Sequence, residues 1–155
     1  MIWQFISSKI EQNIDVYLIT VAETQGSSPG TVGFKMAVAA DGSLYGSIGG
    51  GVMEFNLVEM ARKHLAEGYK QNFLKRQVHA HDAGEDKSGM IWSGEQTQIC
   101  SLFSKADSEV LAKVIELESE NRLGKIVLST SGAEVYEGES HISIKGIEFQ
   151  KSDSS

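Results

Sequence analysis

The chain has 155 residues and a formal net charge of −7 at pH 7, with 41% hydrophobic and 23% charged residues. This composition is typical of a soluble globular domain and excludes a disordered chain, and the acidic balance argues against nucleic acid, whose phosphates are held mainly by lysine and arginine. No apolar run reaches the length of a membrane span and no secretion signal opens the chain, so we expect no membrane partner. A single cysteine, Cys100, excludes an internal disulfide framework and fits a cytoplasmic protein.

The first half of the chain predicts a helix followed by three strands. Apolar residues at helical spacing from Ile2 to Ile10 indicate the helix. β-branched and alternating patterns then indicate, in order, a strand buried on both faces, a loop, and two strands of a hairpin turning at Asp41-Gly42: 14–23, 24–33, 34–39 and 43–48.

The second half continues with a helix whose apolar face runs from Met53 to Leu65 and which ends at Gly68. The remaining predicted elements are a polar edge strand, a loop, a strand, a helix capped by Asp107 and stopped by Gly124, and three strands: 70–79, 80–89, 95–103, 107–124, 125–130, 133–137 and 141–149. The prediction is an α/β fold with a mixed β-sheet flanked by helices. It forms a single domain at 1–150, followed by a flexible tail at 151–155.

Three consecutive glycines, Gly49, Gly50 and Gly51, lie between a predicted strand and a predicted helix. Such a junction exposes backbone N–H groups at the positive end of a helix dipole. Glycines let an anion approach this backbone closely, so an anion site is favoured over a tight turn alone.

The loop at 24–33 is predicted to lie beside this junction. If strand 34–39 pairs antiparallel with both 14–23 and 43–48, then 14–23 and 43–48 run in the same direction, and the segments that follow them open on one edge of the sheet. The loop offers hydroxyls from Thr24, Ser27 and Ser28. The two segments predict a neutral cradle of hydrogen-bond donors for a phosphate, although the loop alone fits an ordinary surface loop equally well.

The glycine pattern does not match the common nucleotide motifs. No lysine follows the glycines, as a P-loop requires, and Glu54 stands where the last glycine of a dinucleotide fingerprint belongs. We therefore expect a phosphorylated ligand other than ATP or NAD.

Several motifs in order resemble the N-terminal domain of the xanthine dehydrogenase accessory protein family, XdhC/CoxI, in a stand-alone form. These are T-Q-G-S-S-P (24–29), Gly33 and Met36, D-G (41–42), G-S-I-G-G-G-x-x-E (46–54), and G-M-I with Gly94 (89–94). The resemblance covers roughly residues 10 to 105. It implies binding of molybdenum cofactor (molybdopterin), a pterin that carries a dithiolene and a phosphate, and assistance with its maturation or insertion into a molybdenum hydroxylase.

The resemblance and the cradle together give the candidate cofactor-binding residues: Thr24, Gly26, Ser27, Ser28, Ser47, Gly49, Gly50, Gly51 and Glu54. For Glu54, complementing the helix dipole and bonding pterin nitrogens stay equally open. The resemblance favours a cofactor-binding chaperone over a catalyst, and no catalytic residue is identified. Its implied partner is a molybdenum hydroxylase client, and it leaves open both a Rossmann-type domain on a separate chain and a homodimer.

The sequence departs from the family pattern at two positions where cysteines are common. Val52 follows the triple glycine, and Trp92-Ser93 stand where the family has a C-G-G run. Any step that depends on those thiols therefore cannot proceed here in the same way. Cys100, in the middle of a predicted strand, is expected to be a buried small hydrophobe.

A different class of function depends on the loop at 79–86, which contains His79 and His81. Together with Asp82, Glu85 and Asp86, these histidines would allow a metal-dependent enzyme or a small hydrolase. A solvated loop is favoured over a metal site, so no metal is predicted. A degenerate module that binds nothing is the remaining alternative.

Overall fold

The computed structural model describes residues 1–26, 30, 32–79, 94–138 and 147–149. These residues contain three α-helices, a short 3₁₀ helix (Lys105–Asp107) and eight strands. The helices are α1 (Ile2–Glu11), α2 (Gly51–Ala66) and α3 (Ser108–Ser119). The strands are β1 (Val16–Gly26), β2 (Lys35–Ala39), β3 (Leu44–Gly46), β4 (Phe73–His79), β5 (Gly94–Phe103), β6 (Gly124–Ser129), β7 (Gly132–Glu137) and β8 (Ile147–Phe149). Within these ranges, no helix has the length and apolar character needed to cross a membrane.

The strands form two sheets. The larger has the order β3-β2-β1-β5-β4 with antiparallel neighbours throughout, and the smaller has the order β7-β6-β8 with β6 and β8 parallel. The α/β class with mixed strand directions and flanking helices is therefore confirmed, and the parallel pair lies in the smaller sheet. β1 and β3 both run antiparallel to β2, as the hairpin pattern predicts.

Helices cover the two faces of the larger sheet. On one face, α1 and α3 pack with β6 in a core that contains Trp3, Leu18 and Phe103. On the other, α2 packs on alternate residues of the same strands, including Tyr17 and Ile19. Because successive strand residues point to opposite faces, β1 contributes to both cores, which confirms that it is buried on both sides.

Several predicted boundaries are wrong. Thr24 and Gly26 belong to β1 rather than to a loop, because β5 continues the ladder with Gly26 opposite Gly94. β3 ends at Gly46, before the predicted limit of 48, because the φ of 83° at Gly46 turns the chain out of the extended conformation.

The end of α3 also differs from the prediction. The helix finishes at Ser119, Asn121 adopts a left-handed φ of 52°, and Gly124 is the first residue of β6 rather than a helix stop. Asp107 does occupy the N-cap position, but its carboxylate accepts the Ser104 N–H at 2.8 Å, in a capping box around the preceding turn of 3₁₀ helix.

Candidate functional site

The segment from Ser47 to Gly51, called here the glycine turn (residues 47–51), joins β3 to α2. The φ angles of Gly49, Gly50 and Gly51 are 125°, 76° and 79°. Gly50 combines this φ with a ψ of −171°, a region open essentially to glycine only. Backbone conformation by itself therefore requires glycine here, so the number of glycines is not independent support for an anion site.

The carboxylate of Glu54 holds the glycine turn from inside. Its Oε1 atom accepts the Ile48 N–H at 2.9 Å, the Gly50 N–H at 3.1 Å and the Ser47 hydroxyl at 2.6 Å. The Gly49 N–H donates to Ser47 Oγ at 3.1 Å. Glu54 thus occupies one anion position that the turn creates, and its charge complements the start of α2.

The outer side of the glycine turn is open. A Cβ atom built on Gly50 or Gly51 would meet no heavy atom of the described residues within 4 Å. The N–H groups of the first turn of α2, which begins at Gly51, have no intrahelical acceptors. A second anion can therefore reach backbone donors of Gly51 and Val52 that Glu54 does not use.

Gly30, from the preceding loop, packs directly on the glycine turn. A Cβ atom on Gly30 would lie 1.9 Å from the Ile48 carbonyl oxygen, so only glycine permits this approach. The contact brings the two motif-bearing segments together. Ser27 and Ser28 lie outside the described residues.

The nine predicted cofactor-binding residues therefore fall into three groups. Five of them form the glycine turn and its internal anchor: Ser47, Gly49, Gly50, Gly51 and Glu54. Thr24 and Gly26 lie at the end of β1, opposite Gln96 and Gly94 of β5. Ser27 and Ser28 are the two that lie outside the described residues.

Three glutamines next to this site were not predicted. Gln96 and Gln98 of β5 are fully buried, and Gln98 Nε2 donates to Gln77 Oε1 of β4 at 3.0 Å and also to Gln96 Oε1. Gln77 Nε2 in turn lies 3.4 Å from the Met53 carbonyl oxygen of α2. We call these three residues the amide cluster (Gln77, Gln96 and Gln98).

The sequence did carry a signal for the amide cluster. In E-Q-T-Q-I-C (95–100), alternation places Gln96 and Gln98 on the same strand face as Cys100. Since Cys100 is predicted to be buried, the two amides had to be buried with it.

Cys100 is buried, as predicted, on the sheet face that α2 covers. Burial raises the pKa of its thiol to about 12. A thiol with this pKa is almost entirely protonated at neutral pH and is a poor nucleophile.

The alternative metal site lies mostly outside the described residues. His79 is the last residue of β4, and the structure describes neither its side chain nor His81, Asp82, Glu85 and Asp86. Among the residues that are described, no group of three or more His, Cys, Asp or Glu side chains is arranged to hold a metal ion. Trp92 and Ser93 are likewise outside the described ranges.

Comparisons with known proteins point to one family. The sequence model of the XdhC and CoxI family matches residues 10–76, and no curated protein matches the chain. One similar solved structure is described as a xanthine dehydrogenase from Bacillus halodurans. It has 19% identity and a TM-score of 0.64, and the match covers 89% of this chain and 45% of that one. At this identity the likeness shows a shared fold, and this chain spans less than half of that protein's length.

Proposed function

We propose that this chain, whose residues 10–76 match the model of the XdhC and CoxI family, binds molybdenum cofactor and assists its maturation or insertion into a molybdenum hydroxylase such as xanthine dehydrogenase. The cofactor is a phosphorylated pterin whose dithiolene holds the metal that serves the client enzyme. The role of this chain is to bind and orient that group.

The observation that carries the proposal is the open outer side of the glycine turn. Among the described residues, a Cβ atom at Gly50 or Gly51 would meet nothing within 4 Å, and α2 begins at this point, where the first N–H groups of a helix have no intrahelical acceptor. Phosphate groups bind at such helix N-termini because N–H groups and the helix dipole both favour negative charge. The site therefore fits the phosphate end of a molybdopterin, although the whole chain carries a net charge of −7.

The residues divide into those that would contact the phosphate and those that shape its site. The N–H groups of Gly51 and Val52 would donate to it, with hydroxyls of the neighbouring loop, Ser27 and Ser28, as the expected additional donors. Glu54 belongs to the framework, because its carboxylate already accepts three hydrogen bonds from the glycine turn and would repel a phosphate.

The available thiol chemistry favours a carrier over a sulfurating enzyme. Cys100 is the single cysteine of the chain, and burial raises its pKa to about 12. A sulfur carrier needs an accessible thiolate. We therefore propose that this chain holds and presents the cofactor, while sulfur transfer uses a thiol of another protein.

Calorimetric titration of the purified protein with molybdopterin, ATP and NAD tests the proposal. We expect saturable binding of molybdopterin and no binding of ATP or NAD, because the glycine turn lacks a P-loop lysine and a dinucleotide pattern. Tight binding of ATP or NAD with none of molybdopterin would reject the proposed function.

A further inference from the structure

An open groove with a volume of about 470 Å³ runs between α2 and the edge strand β4. Its walls are the first three turns of α2 and the middle of β4: Val52, Met53, Asn56, Leu57, Met60, Lys75, Arg76 and Gln77. Val52 and Met53 belong both to this groove and to the helix start beside the glycine turn. We propose that the groove is a subsite for a flat heterocycle, and that Gln77 and Lys75 recognise the ring edge.

The sheet face beneath α2 changes character along its length. Over most of α2 it is apolar and includes Tyr17, Ile19 and Cys100. Near the start of α2 it becomes polar, with Lys75 opposite Gln98 and Gln77 opposite Gln96 in the β4–β5 register. Helix packing alone does not explain these buried amides, because burying a polar group without full hydrogen bonding costs free energy.

Two members of the amide cluster, Gln77 and Gln98, have unused hydrogen-bonding capacity. Gln98 Oε1 is buried and has no hydrogen-bond partner in the described part of the chain, although buried polar atoms are normally paired. Gln98 Nε2 donates to Gln77 Oε1 at 3.0 Å, which fixes the Gln77 amide at the groove wall. The bond from Gln77 Nε2 to the Met53 carbonyl oxygen is long, at 3.4 Å, so this amide nitrogen retains donor capacity toward the groove.

The two cations of the groove differ in their availability. The Arg76 guanidinium is held by Glu95, with its Nε atom 3.1 Å from Glu95 Oε2. Lys75 has no hydrogen-bond or ion-pair partner among the described residues, and its side chain is exposed. Its ammonium thus supplies a local positive charge in a chain of net charge −7.

Together these features match a planar ring with a lactam-like edge. Val52, which is exposed, and Met60, which is partly exposed, provide apolar and polarisable surface for a ring face, while the Gln77 amide and the Lys75 ammonium provide donors for ring carbonyl and nitrogen acceptors. This inference rests on the proposed function, in which the phosphate of the same ligand lies at the start of α2. It adds the place and the residues that would hold the ring.

Fluorescence titration with 6-hydroxymethylpterin, which has the ring but no phosphate, tests the groove separately from the phosphate site. We expect the parent protein to bind this probe. Lys75→Met and Gln77→Leu should each weaken the binding about tenfold, because each substitution removes one hydrogen-bond donor to the ring. Lys63→Met, on the exposed side of α2, is the matched control and should leave binding unchanged. Because Lys75 is exposed, its variant should fold even if Gln77→Leu does not.

Parallel titrations with molybdopterin separate the two proposals. If molybdopterin binds but 6-hydroxymethylpterin does not, or if both groove variants bind 6-hydroxymethylpterin like the parent, the groove proposal is rejected and the proposed function stands. A different result rejects the proposed function: 6-hydroxymethylpterin binds and both groove variants weaken it, but molybdopterin binds no more tightly than 6-hydroxymethylpterin. In that case the groove is a heterocycle site that does not recognise the phosphate and dithiolene of the cofactor.

Discussion

At the scale of single residues, Gly50 has two separate consequences. Its φ of 76° and ψ of −171° make any side chain costly, and its open outer side gives a ligand access to the backbone. Conformational strain affects folding whatever binds, whereas lost access affects binding alone. Two substitutions at this one position therefore separate the two effects.

Gly50→Ala and Gly50→Asp are expected to cost similar stability but to differ in binding. Both carry backbone strain of about 1–3 kcal/mol, and the Asp variant recovers about 0.3–1 kcal/mol of it from the helix dipole. Only the aspartate places a negative charge where the phosphate would bind. Melting temperatures with and without molybdopterin should show a ligand-induced rise in the Ala variant and none in the Asp variant. A full rise in the Asp variant would exclude phosphate binding at the glycine turn.

The reactivity of a thiol in this protein should depend on where the cysteine lies. Cys100 is buried with a pKa raised to about 12, so a thiol reagent should modify it only after unfolding. Val52 is 64% exposed in the first turn of α2, where the helix N-terminus lowers a thiol pKa. Val52→Cys, at the position where the family often has cysteine, should therefore react rapidly at neutral pH in the folded protein. Rapid modification of Cys100 in the folded parent, blocked by molybdopterin, would instead make Cys100 a candidate sulfur carrier.

At the scale of elements, the glycine turn and the first turns of α2 form one hydrogen-bonded unit through Glu54. Its carboxylate accepts the N–H groups of Ile48 and Gly50 from the turn. The same negative charge lies close to where a phosphate would bind. Glu54 is thus expected to stabilise the fold while weakening anion binding.

Glu54→Gln should separate these two roles. Loss of the charge removes about 1.5–3 kcal/mol of charge-assisted hydrogen bonding from the folded state, so the melting temperature should fall. Removing the repulsion should tighten molybdopterin binding about fivefold, equivalent to about 1 kcal/mol. Glu59→Gln, on the exposed side of α2 beside Arg62, is the control. If Glu54→Gln abolishes binding, Glu54 contacts the ligand, which is the other reading that the sequence leaves open.

The type of an element could be predicted where its hydrophobic residues follow one clear period. The ends of an element could not be predicted where contacts with residues distant in sequence determine them. Residues 24–26 have the composition of a loop, yet they extend β1 because β5, distant in sequence, pairs with them. After α3 ends at Ser119, the chain turns at Asn121, whose φ is left-handed at 52°. The sequence prediction places the end of the helix at Gly124 because glycine is the usual residue in this conformation. In the site, the glycine turn and the burial of Gln96 and Gln98 follow from the sequence, whereas the contact of these amides with Gln77 depends on the register of β4 on β5.

At the scale of the whole molecule, the family match covers only part of a cooperative unit. Residues 10–76 include β1, β2, β3, α2 and most of β4. The strand that lies between β1 and β4 is β5, which comes from residues 94–103. The larger sheet therefore cannot form from the matched segment alone, and the groove between α2 and β4 depends on β5 as well.

Residues 1–103 contain the whole larger sheet, but we expect this fragment not to fold. Removing the rest of the chain takes away five side chains that are fully buried against α1 and the sheet: Leu111, Val114, Leu117, Ile126 and Leu128. At about 2 kcal/mol for each buried side chain, the loss is about 10 kcal/mol, which equals the entire stability of a typical domain. It also exposes Trp3 and Phe103, so the fragment should bind a hydrophobic dye and show no cooperative melting transition. A variant lacking only 151–155, the predicted tail, should melt like the parent. Cooperative melting of the 1–103 fragment with molybdopterin binding intact would instead show that α3 and the smaller sheet are an accessory layer.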